Sequence, residues 1–275
     1  MSPKPLHERI DDAVRHIRTK SDLTPRVGLI LGTGLGNMGG AIENAVRIPY
    51  GEIPGFAEST AESHEGVLVL GAIKKTPVVA MQGRVHFYEG YSMQEITFPI
   101  RVLRALGADT LIISNAVGSM NPLIAAGEIV MVTDHINLMG DNPLIGPNDD
   151  EVGPRFPDMS EPYSVKLQEM CEEVALEERI PLRKGVFVAV AGPNLETRAE
   201  YRFLRSIGAD VVGMSLIPET LVAVHGGMKV LALSVATDAA LPDALEPVDI
   251  TRILATAASA EPALKKIVTR MLERL

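Results

Sequence analysis

Leu6, Ile10, Val14 and Ile17 recur at helical spacing, and a continuous apolar run, Val27-Gly28-Leu29-Ile30-Leu31, follows and ends in glycines. A stretch apolar at every position has to be covered on both faces, which is the state of a central strand in an α/β layer structure. The same alternation continues down the chain. Strands are expected at Val67 to Ile73, Val78 to Met81, Thr110 to Ser114, Ile129 to Thr133, Gly185 to Ala191, Val211 to Met214 and Val230 to Val235. Helices are expected at Met93 to Leu106, Ser164 to Leu176, Thr197 to Ile207, Glu219 to His225 and Ile250 to Leu275, the last interrupted near Pro262. Helical and strand-like runs in turn predict a three-layer α/β domain.

At 275 residues, one domain with a large core accommodates the whole chain. With 46% hydrophobic and 22% charged residues the composition is globular, and no apolar run approaches the length needed to span a bilayer. The start, Met1 to Arg9, lacks the apolar stretch of a secretory signal, and the single cysteine, Cys171, has no internal partner, so a cytoplasmic address without membrane association is expected. The balance of 26 basic against 35 acidic side chains, net charge -9, disfavours a nucleic-acid surface.

Chemistry concentrates at strand ends. Gln82-Gly83-Arg84-Val85-His86-Phe87-Tyr88-Glu89-Gly90 follows the run ending at Met81, and Ile73-Lys74-Lys75-Thr76 before that run reads as a hairpin arm. Ligands of α/β folds collect just past strand carboxyl ends, where the fork of Arg84 suits an anion and His86 points the same way from extended chain. The plainer alternative is a surface loop with a salt bridge. Gly32-Thr33-Gly34-Leu35-Gly36 also follows a strand, and Gly34, Gly36 and Gly39 satisfy a formal dinucleotide pattern. The second strand and acid that pattern requires are missing, because Ile48 to Gly55 reads as irregular chain, and there is no Walker lysine. What remains is a glycine turn able to hold an anionic oxygen, or a tight turn alone. The segment from Asn137 to Pro162, rich in Pro, Gly and Asp, is a long functional loop or a subunit contact.

Further clusters stand at Glu62-Ser63-His64-Glu65-Gly66, Ser114-Asn115-Ala116-Val117-Gly118-Ser119, Ala191-Gly192-Pro193-Asn194-Leu195-Glu196-Thr197, Val212-Gly213-Met214-Ser215 and Thr237-Asp238. In this order, together with Gly32-Thr33-Gly34 and the segment 82–90, they resemble the trimeric purine nucleoside phosphorylases over nearly the whole chain. The match is especially close at Thr133 to Asp149 and Gly153 to Ser160. The resemblance implies the single-domain three-layer α/β phosphorylase fold over 1–275, with a mixed central sheet flanked by helices. It implies reversible phosphorolysis, in which inorganic phosphate attacks the anomeric carbon of a purine nucleoside, with no metal and no cofactor. Phosphate would be held by Thr33, His64, Arg84, His86, the Ala116 amide and Ser215; Tyr88 and Met214 would line the ribose; Glu89 would fix His86 or a neighbour; Leu195, Glu196 and Asp238 would face the purine. His86, Glu89 and Asp238 form the expected catalytic set. Phe156 would enter a neighbouring subunit's sugar pocket in a homotrimer. The plainer alternative for Glu196 is a carboxylate stabilising a helix N-terminus.

The departures bear on substrate. Thr33 replaces a serine, Gly118-Ser119 a glycine pair, and Leu195 a phenylalanine, which exchanges aromatic stacking on the base for aliphatic packing. Asp238 stands where 6-oxopurine-specific relatives have asparagine and methylthioadenosine phosphorylases have aspartate. A carboxylate there favours a 6-amino donor, or acts as a proton donor to N7 once its pKa is raised. Ile250 takes the place of a histidine that bonds the 5'-hydroxyl, and an apolar residue suits a 5'-methylthio group. Glu196, by contrast, suits the N1-H of hypoxanthine or guanine. The reading is therefore a purine nucleoside phosphorylase, with a broadened 6-oxo and 6-amino range in view. A 5'-methylthioadenosine phosphorylase and a non-catalytic nucleoside-binding protein stand as alternatives.

Overall fold

A computed structural model describes residues 4–32, 36–58 and 66–275, with the side chain of Asn37 left aside. The first helix, α1 (Leu6–Arg18), leads into β1 (Val27–Leu31), which is buried at all five positions. The edge strand β2 (Glu43–Pro49) and the hairpin of β3 (Val67–Ile73) and β4 (Thr76–Gln82) come next. That hairpin turns on Lys74 and Lys75, with Lys74 at φ 58. Then follow α2 (Met93–Leu106), β5 (Thr110–Ser119), β6 (Ile129–Leu138), α3 (Val165–Glu177) and β7 (Leu182–Val190). The chain closes with α4 (Arg198–Ser206), β8 (Val211–Gly213), α5 (Ile217–His225), β9 (Lys229–Ala239) and α6 (Ile250–Arg274).

The nine strands form one mixed sheet in the order β2-β3-β4-β1-β5-β8-β7-β6-β9. β1 lies parallel to both β4 and β5, as its unbroken apolar sequence requires. An additional parallel pairing of β5 with β9 closes β5, β8, β7, β6 and β9 into a five-stranded ring. β5 thus belongs to both the open part of the sheet and the ring. Its carboxyl end, Ser114 to Ser119, lies where the two meet.

Alternate residues of the central strands feed two separate cores, which is what period-2 side-chain direction demands of a three-layer structure. Ile30, Val79 and Met81 pack with α1, α2 and α5 through Ile17, Phe98, Leu103 and Ile217. Leu29, Leu31, Val78 and Ala80 pack on the other side with α3 and α6 through Leu167, Cys171, Leu264, Ile267 and Met271. α4 adds a smaller cluster in which Tyr201 and Leu204 meet Val188 and Val212.

Two sequence expectations are corrected here. The irregular reading of Ile48 overlooked β2, whose first half is exposed and so lacks an apolar signature. β2 is an antiparallel edge strand rather than a neighbour of β1, so the dinucleotide arrangement is absent from the described sheet. The expected break at Pro262 also does not occur, since α6 runs through it. One lost backbone hydrogen bond is outweighed by burial of Ala257, Ala260, Leu264, Ile267, Val268, Met271 and Leu272 along the same face.

Candidate active site

The chain leaves β4 at Gln82 and turns at Gly83, φ 98, which sends Arg84 back under the ends of β1 and β5. There Arg84 is 2% exposed. Its Nη1 lies 3.3 Å from Glu219 Oε1, and its Nη2 donates to the Ser114 carbonyl. Gly32 makes room: a Cβ at that position would overlap the Ser114 carbonyl and stand 2.9 Å from Arg84 Nη2. Burial pulls the Arg84 pKa down while Glu219 holds it up, and the charge persists because an arginine starts so far above neutrality.

Two residues on, the Glu89 carboxylate accepts from the His86 amide at 2.7 Å and meets His86 Nδ1 at 3.1 Å. A carboxylate on Nδ1 fixes ring orientation and favours the proton on that nitrogen. The imidazole stacks on Tyr88 with ring centroids 4.7 Å apart and an interplanar angle of 14°. Glu89 therefore acts on the cleft through His86 and does not itself line it.

Ser215 approaches from β8 through an unusual turn. Leu216 sits at φ 74, ψ -50, and the Ile217 amide donates to the Ser215 carbonyl at 2.9 Å, forming a γ-turn of the strained positive-φ kind. The turn starts α5, whose first turn supplies Glu219, so Ser215 and the partner of Arg84 are held by one element. Asn115, on β5, accepts from the Ser234 hydroxyl at 2.7 Å, while its buried Nδ2 has no hydrogen-bond partner and lies in the same cleft wall.

The opposite end of the cleft is built after β7. Gly192, at φ 66 before the cis Pro193, holds a backbone conformation that disfavours a side chain, and a Cβ there would displace the Met214 sulfur. Helix α4 is closed by a capping box in which Thr197 is the cap and Glu200 its reciprocal partner, bonding the Thr197 amide at 2.7 Å. Glu196 thus stands just outside the helix, and the first-turn carboxylate role belongs to Glu200. Tyr201, one turn into α4, lines the same cavity as Glu196. Asp238, near the end of β9 and opposite Gly118 of β5, accepts from the Thr237 hydroxyl at 2.9 Å. Burial raises the pKa of both carboxyls; Tyr201 opposes this at Glu196, and Thr237 and Arg252 oppose it at Asp238.

These groups surround one cavity of about 280 Å³. Of the residues expected from sequence, Arg84, His86, Tyr88, Ala116, Leu195, Glu196, Met214, Ser215 and Asp238 all line it. Thr33 and His64 lie outside the described residues. Two others are elsewhere. Phe156, 87% exposed, sits on the long loop beside a different hollow with Ile145 and Met159. Ile250 is 61% exposed at the start of α6, and Ile253, one turn later, is the isoleucine that reaches the cavity.

The sequence assigned no individual role to Asn115 or Thr237, though both stand in the strand-end clusters, and none to Tyr201, Ile253 or Glu219. Glu219 carried a signal, being the one charged residue in a mostly apolar stretch, Ile217 to Val224. Tyr201 carried none beyond its amphipathic position. Among the described residues no group of His, Cys, Asp and Glu is arranged to hold a metal ion, and no helix is long and apolar enough to cross a membrane.

Residues 26–273 match the phosphorylase superfamily. Purine nucleoside phosphorylase 1 of Bacillus subtilis (strain 168) is 51% identical over 235 residues, spanning 86% of this chain and 87% of that protein. The purine nucleoside phosphorylase of Bos taurus is 41% identical over 242 residues, spanning 86% and 84%. Among solved structures, isoform 2 of purine nucleoside phosphorylase from Schistosoma mansoni, in complex with cytosine and ribose-1-phosphate, superposes with a TM-score of 0.94. It has 39% sequence identity and covers 98% of this chain and 97% of that one.

Proposed function

The chain belongs to the phosphorylase superfamily, and from that membership and the makeup of its cleft we propose that it is a pentosyltransferase carrying out reversible phosphorolysis of purine nucleosides. The products are free purine and ribose (or deoxyribose) 1-phosphate. The observation that carries the reading is a single cavity containing both a buried arginine with a histidine and serine beside it, and two carboxyl groups of raised pKa.

Cleaving the glycosidic bond develops positive charge on the sugar and negative charge on the departing purine. Arg84, His86, Ser215 and the Ala116 amide hold phosphate beneath the anomeric carbon, where its own charge stabilises the sugar cation; Thr33 and His64 complete this set by resemblance. Glu89 keeps the His86 ring oriented. Tyr88 and Met214 lie along the ribose. At the far end Glu196, ionised, accepts the N1-H of a 6-oxopurine, and Asp238, protonated, donates to N7 as negative charge builds there. The raised pKa of Asp238 supports the donor role. Leu195 packs on the base face without an aromatic ring. Phosphate is the co-substrate, and no further cofactor enters the scheme.

A homotrimer in the cytoplasm, working in purine salvage, is part of the same reading. It is supported by the exposure of Phe156, an apolar ring that a neighbouring subunit would cover, and by a single cysteine that is free and buried. Ile253 at the cavity and Asp238 favour one second reading, a 5'-methylthioadenosine phosphorylase, because an apolar 5' wall and a 6-amino acceptor fit that nucleoside.

Phosphate-dependent release of base from inosine, guanosine, adenosine and 5'-methylthioadenosine, compared by kcat/KM at saturating phosphate, separates these readings. Inosine and guanosine are expected to lead. Preference for methylthioadenosine by ten-fold or more replaces the first reading with the second. Nucleoside binding without pentose 1-phosphate from any of the four makes the chain a binding protein.

A further inference from the structure

Strand β9 slips its register at the cleft. Val117 of β5 pairs with Ala236, yet the next residue, Gly118, pairs with Asp238, so Thr237 is an extra residue with no partner across the ladder. An insertion of this kind breaks the alternation of faces and re-aims the side chains around it. Val235 and Ala236 enter opposite cores, whereas Thr237 and Asp238, also adjacent, both line the cavity. Thr237 is 4% exposed, and its hydroxyl stands 2.9 Å from Asp238 Oδ1 and 3.2 Å from the Val117 carbonyl. A hydroxyl has one hydrogen to give, and the shorter of these contacts is to the carboxyl.

Resting on the reading of Asp238 as the acid that serves purine N7, we propose that Thr237 is a positioning residue: its hydroxyl occupies Oδ1 of Asp238 and leaves Oδ2 to carry the proton to the base. Oδ2 lies beside Gly118, a residue of the cavity wall, where an added Cβ would stand 3.5 Å from it. In the transfer the Oδ2-H bond breaks, its electron pair stays on the carboxyl, and the proton joins N7 of the departing purine. Asp238 is then a carboxylate, and the bond from Thr237 to Oδ1 becomes charge-assisted. The hydroxyl thus orients the acid before transfer and stabilises the carboxylate after it.

Burial raises the Asp238 pKa, while Thr237 and Arg252 of α6 lower it; Glu196, ahead of α4, and Tyr201 of α4 are the other titratable groups within its reach. Arg252 is exposed and pairs with Glu246 at 3.3 Å, so solvent screens it. Thr237 is therefore the buried group that restrains the effect of burial. An acid works only while protonated, so turnover declines as pH rises through its raised pKa. Without the hydroxyl that pKa climbs further, and the decline moves to higher pH.

The test is Thr237→Val in the full-length protein, which keeps the β-branched shape, with inosine turnover followed across a pH series at saturating phosphate. A fall of about ten-fold in kcat is expected, the scale of one hydrogen bond to a charged group, with KM for inosine held within about two-fold. The alkaline limb should move to higher pH. Thr237→Ser, which retains the hydroxyl, should restore both kcat and the limb; Thr237→Ala carries the same expectation as valine and serves if the valine variant does not fold. In an Asp238→Asn background, where no carboxyl titrates, Thr237→Val should leave the alkaline side unchanged. A loss of turnover with the limb unmoved, or a limb that moves equally in the Asp238→Asn background, means that Thr237 only closes the bulge, and overturns the proposal. The underlying reading fails separately: if Asp238→Asn alone keeps the parent's alkaline limb, Asp238 is not the acid, an outcome visible before any Thr237 variant is made.

Discussion

Arg84 and Glu219 meet at 3.3 Å beneath the cleft, with side chains 3% and 7% exposed. The pair joins the loop after β4 to the first turn of α5, and one carboxylate oxygen, Glu219 Oε2, is buried without a hydrogen-bond partner. A fully paired structural ion pair would leave no such oxygen. Here the arginine reaches both Glu219 and the Ser114 carbonyl and also lines the cavity.

Breaking that pair by Glu219→Ala leaves a buried guanidinium without its counter-charge. Loss of about 3 kcal/mol of stability is expected, together with a raised KM for phosphate, because the arginine loses the group that aims it. Chemical denaturation and phosphate saturation curves measure the two effects; an unchanged phosphate KM would show that the pair is structural only.

Arg84→Ala removes the charge-assisted contact itself. A loss on the order of 2 kcal/mol or more in phosphate-dependent turnover is expected. The assignment of Arg84 to phosphate would be abandoned if the variant kept the parent's KM for phosphate.

Asp238→Asn exchanges a carboxyl for an amide that donates to N7 and tolerates a 6-oxo group. The adenosine-to-inosine ratio of kcat/KM should fall. An unaltered ratio removes Asp238 from the choice of base.

The two raised carboxyl pKa values also predict pH behaviour. The folded protein binds these protons more tightly than the unfolded chain, whose ordinary values are 4.5 for Glu196 and 3.8 for Asp238. Their stabilising contribution is complete below those values and is lost as pH rises through the raised ones. Thermal unfolding of Asp238→Asn should therefore decline less with pH over that window than the parent, and parallel curves would contradict the burial argument. Activity runs the other way on the acid side: inosine turnover should fail as pH drops through the raised pKa of Glu196.

Much of the framework is legible in the sequence because burial on both faces leaves an unmistakable apolar run, as at Val27 to Leu31, and because loops after strands carry the polar residues. The ring closure is not legible, since pairing of β5 with β9 joins two apolar strands that carry no mark of their partner. Tyr201 escapes for a related reason: its ring obeys the core pattern, and only the three-dimensional neighbourhood reveals that it also reaches the cavity wall. The confusion of Ile250 with Ile253 is one helical turn, smaller than counting along a gapped loop can resolve. Pro262 shows the converse error, a local rule overridden by the burial of a long apolar face.

Closing the ring has a colloidal consequence. With β9 joined back to β5, the described sheet has one remaining open border, β2. An unguarded strand border invites pairing with another chain. β2 is ill suited to that: its register shifts between Glu43 and Val46, Asn44 adopts φ 52, and the strand ends at Pro49, which has no amide hydrogen to donate. The described sheet thus offers a single template for strand-to-strand association, bent at one end and capped at the other, which guards a crowded solution of these molecules against growing sheets from edge to edge.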